Sequence, residues 1–410
     1  MTTLTADYVN PLVTTDQGFL NNPYPELARL RTEAPIWWCE QNKYWIVSSY
    51  ADVQAVLKDV NFEKQIQTWK HAPSTILANF IPSIKFLRQT TSKWLLNLNK
   101  PDHTRIRGIV GKAFSTSTVE KLQPQIEELA AKFADQLDTA EQPFDLIEKF
   151  SLPFPLAVIG LILGIPLSDA EKLKSWSNQV VGLIGGQRDP KRLMAAGKAM
   201  REFSKYLEPH IEERRAHPKD DLLSVLVQAR ENNSSLSLEE LISTSILLLI
   251  AGFETTANLI ANTVVCFDKF PDQAAIFKKD FSKADAVIRE VLRFESPAQS
   301  APRLAKEDVV LSGHTIKKGD LVWVLMGSAN RDALQFEEPD RFDITRDATR
   351  NLAFGDGIHR CVGAGLAELE ATIAIKTLYE RFPNLRVAGP ADYRAPFGLR
   401  GPKTLPARVK

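Results

Sequence analysis

The spacing of apolar positions changes several times along this chain, and each change predicts a different kind of element. Near the N-terminus a short helix is expected after Pro25, and two apolar runs, Ile36–Cys39 and Tyr44–Val47, flank the polar Glu40-Gln41-Asn42 in the manner of a β-hairpin. From about residue 102 to 295 apolar side chains recur three and four apart, as in 119–137 and 193–211, which predicts a helical body. Ser237 followed by Glu240 reads as a capping box, and beyond it neither proline nor glycine interrupts the pattern until Gly252, after which it continues to Phe267. One helix of roughly thirty residues would cross most of such a domain. Beyond Pro302 come strand-like pieces at 309–311 and 321–325, then a polar meander over 330–350, and from 362 to 382 the helical period returns. The fold class predicted is mainly α with minor β. No linker or repeat divides the chain, so a single domain over 1–410 is expected, with β-containing parts at about 20–60 and 300–410 packed on a helical body at about 100–295.

Composition narrows the function classes. At 410 residues and 44% hydrophobic the chain can bury a large core, and 51 basic against 50 acidic residues leave a formal charge of +1, so no global field favours nucleic acid or an anionic membrane. Cys39, Cys266 and Cys361 are too far apart in sequence for a C-x-x-C pair, and the polar N-terminus lacks the pattern of a secretory signal; a reducing, cytoplasmic setting is expected. The most apolar stretch, 241–251, is interrupted by Ser243, Thr244 and Ser245 and is shorter than the ~20 residues that span a bilayer. It reads as a buried helix, and no membrane anchor is expected.

Two segments carry candidate chemistry. Phe354-Gly-Asp-Gly-Ile-His-Arg-Cys361-Val-Gly363 sets a cysteine at the end of a glycine-rich loop and the start of a helix, where backbone N–H groups and the helix dipole favour a thiolate. Gly355, Gly357 and Gly363 let the backbone turn tightly and approach a flat cofactor. A buried structural thiol, or one ligand of a zinc site, equally fits a lone cysteine beside His359. The second segment, Ala251-Gly-Phe-Glu-Thr-Thr256, lies in the middle of the long helix, where glycine costs about 1 kcal/mol relative to alanine. Gly252 beside Ala251 opens a groove for a diatomic ligand, with Thr255 donating a hydrogen bond and Glu254 relaying protons; close helix packing at Gly252, with Thr255 bonded back to the Ala251 carbonyl, is the other reading.

At this point the resemblance becomes specific. F-G-x-G-x-H-x-C-x-G, matched at every fixed position, resembles the haem-ligand loop of the cytochrome P-450 family, and A-G-x-E-T-T resembles its oxygen-binding motif, with Glu254 where many relatives carry Asp. Five such motifs occur in the family's order over nearly the whole chain. The resemblance implies a triangular, mostly α fold with haem b between the long helix and the cysteine loop, and Cys361 as the axial iron ligand. A thiolate ligand favours O–O cleavage more than a neutral imidazole does, so activation of dioxygen is implied. Catalytic roles follow for Thr255, Glu254, Ala251 and Gly252, and cofactor contacts for Phe354, Gly355 and Gly363. His103 and Arg107, four apart on one helix face, are implied as haem propionate partners, together with Arg303 and His359. Glu290, Arg293 and Arg341 resemble the family's structural Glu-Arg-Arg network.

The implied activity is a monooxygenase that hydroxylates or epoxidises a mostly apolar small molecule of lipid, terpenoid, steroid or polyketide class. Trp69, Ile76, Leu77, Phe80, Ile81, Phe86, Leu87, Val180, Val181, Leu183, Ile184, Leu247, Phe397 and residues 297–300 are candidate pocket residues, and Lys85, Arg88 and Lys93 candidates to meet a carboxylate or a carrier protein. No flavin or nicotinamide domain is read in the chain, so electrons are expected from a separate ferredoxin or flavodoxin with its reductase, docking near Arg360, Arg105 and Lys112. A monomer is expected. A peroxide-driven peroxygenase and a haem-binding sensor remain as alternatives; the intact Glu254-Thr255 pair argues against both.

Overall fold

The computed structural model describes residues 9–71, 81–180, 189–228, 230–231, 234–393 and 397–410. It is mainly helical, and its Cα packing resolves two compact units. One comprises residues 1–71, 130–151 and 255–410; the other comprises 72–129 and 152–254, so the boundary falls inside one helix, between Glu254 and Thr255.

The first unit is built around a five-stranded sheet. The Ile36–Cys39 and Tyr44–Val47 strands pair antiparallel as the hairpin spacing predicts; Leu321–Val324 lies parallel to the second of them, followed by Ala301–Ala305 and then Phe62–Glu63. The Ala301–Ala305 strand is absent from the sequence-based expectation because Pro302, which lacks an N–H, argues against an interior strand position. Val47, Val322, Val324, Val53 and Val56 are fully buried between the sheet and the Tyr50–Lys58 helix. A second core gathers aromatic rings: Phe267 stacks on Phe277 at 5.4 Å and meets Tyr379 edge-on at 5.2 Å, while Phe270, Phe294 and Phe342 lie 5.4–5.5 Å apart.

The second unit is helical. Gly197 of the Pro190–Ala216 helix lets that helix approach Pro82–Thr91 so closely that a Cβ there would lie 2.2 Å from the Ser83 carbonyl oxygen. The 119–137 stretch is two helices, Thr116–Lys121 and Gln123–Asp138, because Pro124 cannot donate to a continuous backbone ladder.

The long helix runs Leu238–Lys269, and its predicted capping box is present: Ser237 N donates to Glu240 Oε2 at 2.9 Å and Glu240 N to Ser237 Oγ at 3.2 Å. By length and composition this helix is apolar enough to cross a membrane, contrary to the reading of 241–251 alone, but 72% of its most apolar window is buried inside the protein. It is a core helix.

Candidate active site

The cysteine loop is held from below by backbone and side-chain bonds. Leu352 N donates to Asn330 Oδ1 at 2.6 Å, Gly355 N to Leu352 O at 2.8 Å, and Cys361 N to Phe354 O at 2.8 Å. Two turns in the loop demand glycine: Gly355 and Gly357 both have φ of 68°, and a Cβ on Gly357 would lie 2.5 Å from the Leu57 carbonyl oxygen. His359 closes a short turn, Gly357–His359, and Gly363 caps the Ala364–Arg381 helix, accepting from Ala367 N at 2.9 Å. Cys361 is exposed at the head of that helix, whereas Cys39 and Cys266 are buried. Among the described residues no three His, Cys, Asp or Glu gather to hold a metal ion. A metal at Cys361 therefore needs most of its donors from a cofactor, which a porphyrin supplies.

Arg303 lies on the Ala301–Ala305 strand, 2% exposed, and donates to the Pro302 carbonyl at 2.9 Å. No carboxylate among the described residues pairs with it, and burial pushes its guanidinium down to about 10. Beside it lies Lys64, 4% exposed, driven well below the usual lysine range by burial and by the Arg303 charge. Sequence reading did not single out Lys64; the only signal available was a cation one residue past a short strand.

In the other unit His103 and Arg107 sit on the Asp102–Ala113 helix. His103 is buried, and burial reinforced by Arg107 and Lys100 pushes its imidazole down to about 4, so it is neutral at pH 7. Within the first unit, Arg303 without a carboxylate partner among the described residues and the exposed Cys361 are the donor types that a flat cofactor bearing carboxylates requires.

On the long helix Ala251 is exposed and Gly252 and Glu254 are half-buried, interleaved with the fully buried Ile250 and Phe253; Thr255, at the head of the other unit, is also half-buried. Of the two readings of Gly252, packing has direct support: a Cβ would lie 3.2 Å from Ile159 of the Pro153–Leu163 helix.

The Glu-Arg-Arg network requires a correction. Arg293 and Glu290 form a fully buried bidentate pair, with Nε and Nη2 each 2.7 Å from a carboxylate oxygen, and Arg293 also donates to the carbonyls of Asn330, Pro339 and Arg341. Arg341 thus contributes its backbone, while its side chain is 59% exposed and pairs with Glu338. The arginine whose side chain approaches Glu290, at 3.5 Å, is Arg346. Arg105 likewise is not offered to solvent as a docking residue, since it pairs with Glu240.

Of the candidate pocket residues, Ile76, Leu77, Phe80, Val181, Leu183 and Ile184 lie outside the described residues. Leu87, Val180, Leu247 and Phe397 are buried, and Trp69 is buried with no hydrogen-bond partner for Nε1 among the described residues. On the first unit's surface a polar cleft of about 380 Å³ is lined by Tyr50, Gln54, Arg350, Asn351, Asp356 and Arg360.

Residues 17–275 and 279–387 match the family model described as cytochrome P450. The polyketide biosynthesis cytochrome P450 PksS of Bacillus subtilis is 36% identical, over 95% of this chain and 96% of that protein. Among solved structures, P450BioI in complex with an acyl carrier protein ligated to hexadec-9Z-enoic acid matches with a TM-score of 0.87 at 36% identity, covering 95% of this chain and 99% of that one. CYP109E1 from Bacillus megaterium in complex with testosterone matches with a TM-score of 0.82 at 34% identity, covering 95% and 99%. With a family model and relatives spanning nearly its full length, and with a donor set suited to haem b, the chain belongs to the cytochrome P450 family and is a haem-dependent monooxygenase.

Proposed function

We propose that this enzyme hydroxylates or epoxidises a lipid-like, steroid or polyketide substrate with electrons from a separate ferredoxin or flavodoxin and its reductase. The observation that carries the reading is the accessible Cys361 thiol at the head of the Ala364–Arg381 helix, on a loop whose turns require Gly355 and Gly357. When bound, haem supplies reductive activation of dioxygen and insertion of one oxygen atom into an apolar substrate. Cys361 would hold its iron; His103, Arg107, Arg303 and His359 would hold its carboxylates; Phe354, Gly355 and Gly363 would shape the loop against it.

The remaining work is proton delivery. Thr255 Oγ1 donates the proton that dioxygen reduction consumes, and the Glu254 carboxyl restores it, in a site lined by the small Ala251 and Gly252. Replacing Thr255 by alanine is expected to leave the haem spectrum intact while product per electron consumed falls several-fold and hydrogen peroxide rises; unchanged coupling would refute the role of Thr255. A peroxygenase, by contrast, would turn over with added peroxide at a rate matching the electron-driven reaction.

The substrate class is supported by the relatives' printed names, which mention polyketide biosynthesis, testosterone and a carrier-bound fatty acid. A carrier-bound substrate has a further support in this chain: Lys85 of the Pro82–Thr91 helix and Lys198, Arg201 and Lys205 of Pro190–Ala216 form no ion pair among the described residues, and Arg201 joins the two helices by donating to the Pro82 carbonyl at 2.8 Å. Lys93, in contrast, is engaged by Glu239. The test is a haem spin-state titration with a steroid, a free fatty acid and the same acyl chain on its carrier protein. If none of the three perturbs the spectrum, the substrate assignment is wrong.

A further inference from the structure

We propose that Thr244 is a specificity residue: its hydroxyl receives an uncharged oxygen function of the substrate, a ketone, hydroxyl or ester, held about two helical turns from Ala251 and Gly252. The proposal rests on the oxidation of an apolar substrate proposed above. Seven residues make two turns of α-helix to within about 20°, so Thr244 and Ala251 share one stripe of the Leu238–Lys269 helix, roughly 10 Å apart along its axis. Ala251 is exposed in mid-helix, and Leu247 and Leu248, which flank the stripe between the two, each keep 7% of their surface accessible. On the opposite side Ile246, Leu249 and Phe253 are fully buried. The stripe is therefore the side of this helix along which an apolar body can lie.

Thr244 itself is 1% exposed, and its Oγ1 has no hydrogen-bond partner among the described residues. A threonine inside a helix commonly satisfies its hydroxyl on the carbonyl four residues back, as Thr263 of the same helix does on Leu259 O at 2.8 Å. Ser243, its neighbour in sequence, donates instead to Thr90 O of the Pro82–Thr91 helix at 2.7 Å. Thr244 does neither, and a buried hydroxyl left unmet is costly. A ligand oxygen arriving along the stripe removes that cost, because a hydroxyl can donate to a ketone or an ester and accept from an alcohol. The stripe offers a carboxylate nothing: the charged side chain one turn before Thr244 is Glu240, an acid already paired with Arg105. Ser245 provides the contrast. Its Oγ is equally buried and equally without a partner among the described residues, yet it lies roughly 100° further round the helix, in line with the fully buried Leu249, and no ligand on the stripe reaches it.

The test uses N-alkylimidazoles of increasing chain length, each with a methyl or a hydroxyl end. They bind the haem iron of the holoenzyme through nitrogen and shift the Soret band, which gives a dissociation constant for each. In wild type one chain length should favour the hydroxyl end over the methyl end, relative to shorter and longer chains, by roughly three- to tenfold, the value of one hydrogen bond. Thr244→Val keeps the side-chain shape and should erase this preference, Thr244→Ser should keep it, and Ser245→Ala should leave it untouched. The melting temperature of Thr244→Val should not fall, since a methyl group replaces an unmet hydroxyl. A lower melting temperature would show the hydroxyl already bonded within the protein and overturn the proposal. A preference that survives Thr244→Val, an equal loss in Ser245→Ala, or no preferred length in wild type would overturn it equally. Failure of the underlying reading looks different: the steroid and fatty-acid titrations would then leave the wild-type haem spectrum unperturbed, whatever the imidazoles do.

Discussion

Cys361→Ser is expected to abolish monooxygenase activity and the thiolate-type absorption of the reduced carbon monoxide complex, while the protein still folds and still takes up haem. The loop does not depend on sulfur for its shape. Its turns are set by Gly355 and Gly357, and its closing bond runs from the backbone N–H of Cys361 to Phe354. On the proposed function, haem uptake would in turn draw on cationic partners elsewhere in the chain, the buried Arg303 among them. What the substitution removes is a soft, electron-rich donor, for which a serine hydroxyl is no substitute. Optical spectra of the reduced complex, with circular dichroism to verify the fold, decide the matter. Survival of the thiolate band would mean that the ligand lies elsewhere.

Arg293→Ala should be strongly destabilising. It strands the fully buried Glu290 carboxylate and leaves the carbonyls of Asn330, Pro339 and Arg341 without their donor. Breaking a buried pair from one side costs about 3–5 kcal/mol, a large share of the roughly 5–15 kcal/mol that keeps a protein folded. The damage should also reach the cofactor, because Asn330 accepts from Leu352 N and Leu352 accepts from Gly355 N, a direct chain of bonds into the cysteine loop. Arg341→Ala serves as the contrast: its side chain is exposed, and the loss is expected to stay under about 1 kcal/mol. Unfolding midpoints of the two variants measure the difference. Equal losses would return Arg341 to the network and contradict the role of Arg346.

Much of the architecture was legible because it rests on local periodicity. The hairpin at Ile36–Cys39 and Tyr44–Val47, the capped helix at Leu238–Lys269 and the helix at Ala364–Arg381 each announce themselves within one short window of sequence. The Ala301–Ala305 strand did not, since Pro302 disguises it and its partners are Leu321–Val324, some twenty residues on, and Phe62–Glu63, more than two hundred residues back. The break at Leu122 was readable in principle from Pro124, but the apolar spacing runs through it.

The sequence by itself determined the chemistry at stake: a single cysteine at the head of a helix behind a glycine loop, an Ala-Gly-Phe-Glu-Thr-Thr run inside an apolar helix, and the family to which that order of motifs points. Only the tertiary structure decided which charges are buried together. Burial of Lys64 within reach of the Arg303 charge brings together segments some 240 residues apart, and exchange of Arg341 for Arg346 beside Glu290 depends on how a meander folds back on a helix. Motifs are local and survive in one dimension; desolvation and charge proximity are properties of a neighbourhood, and no spacing along the chain encodes them.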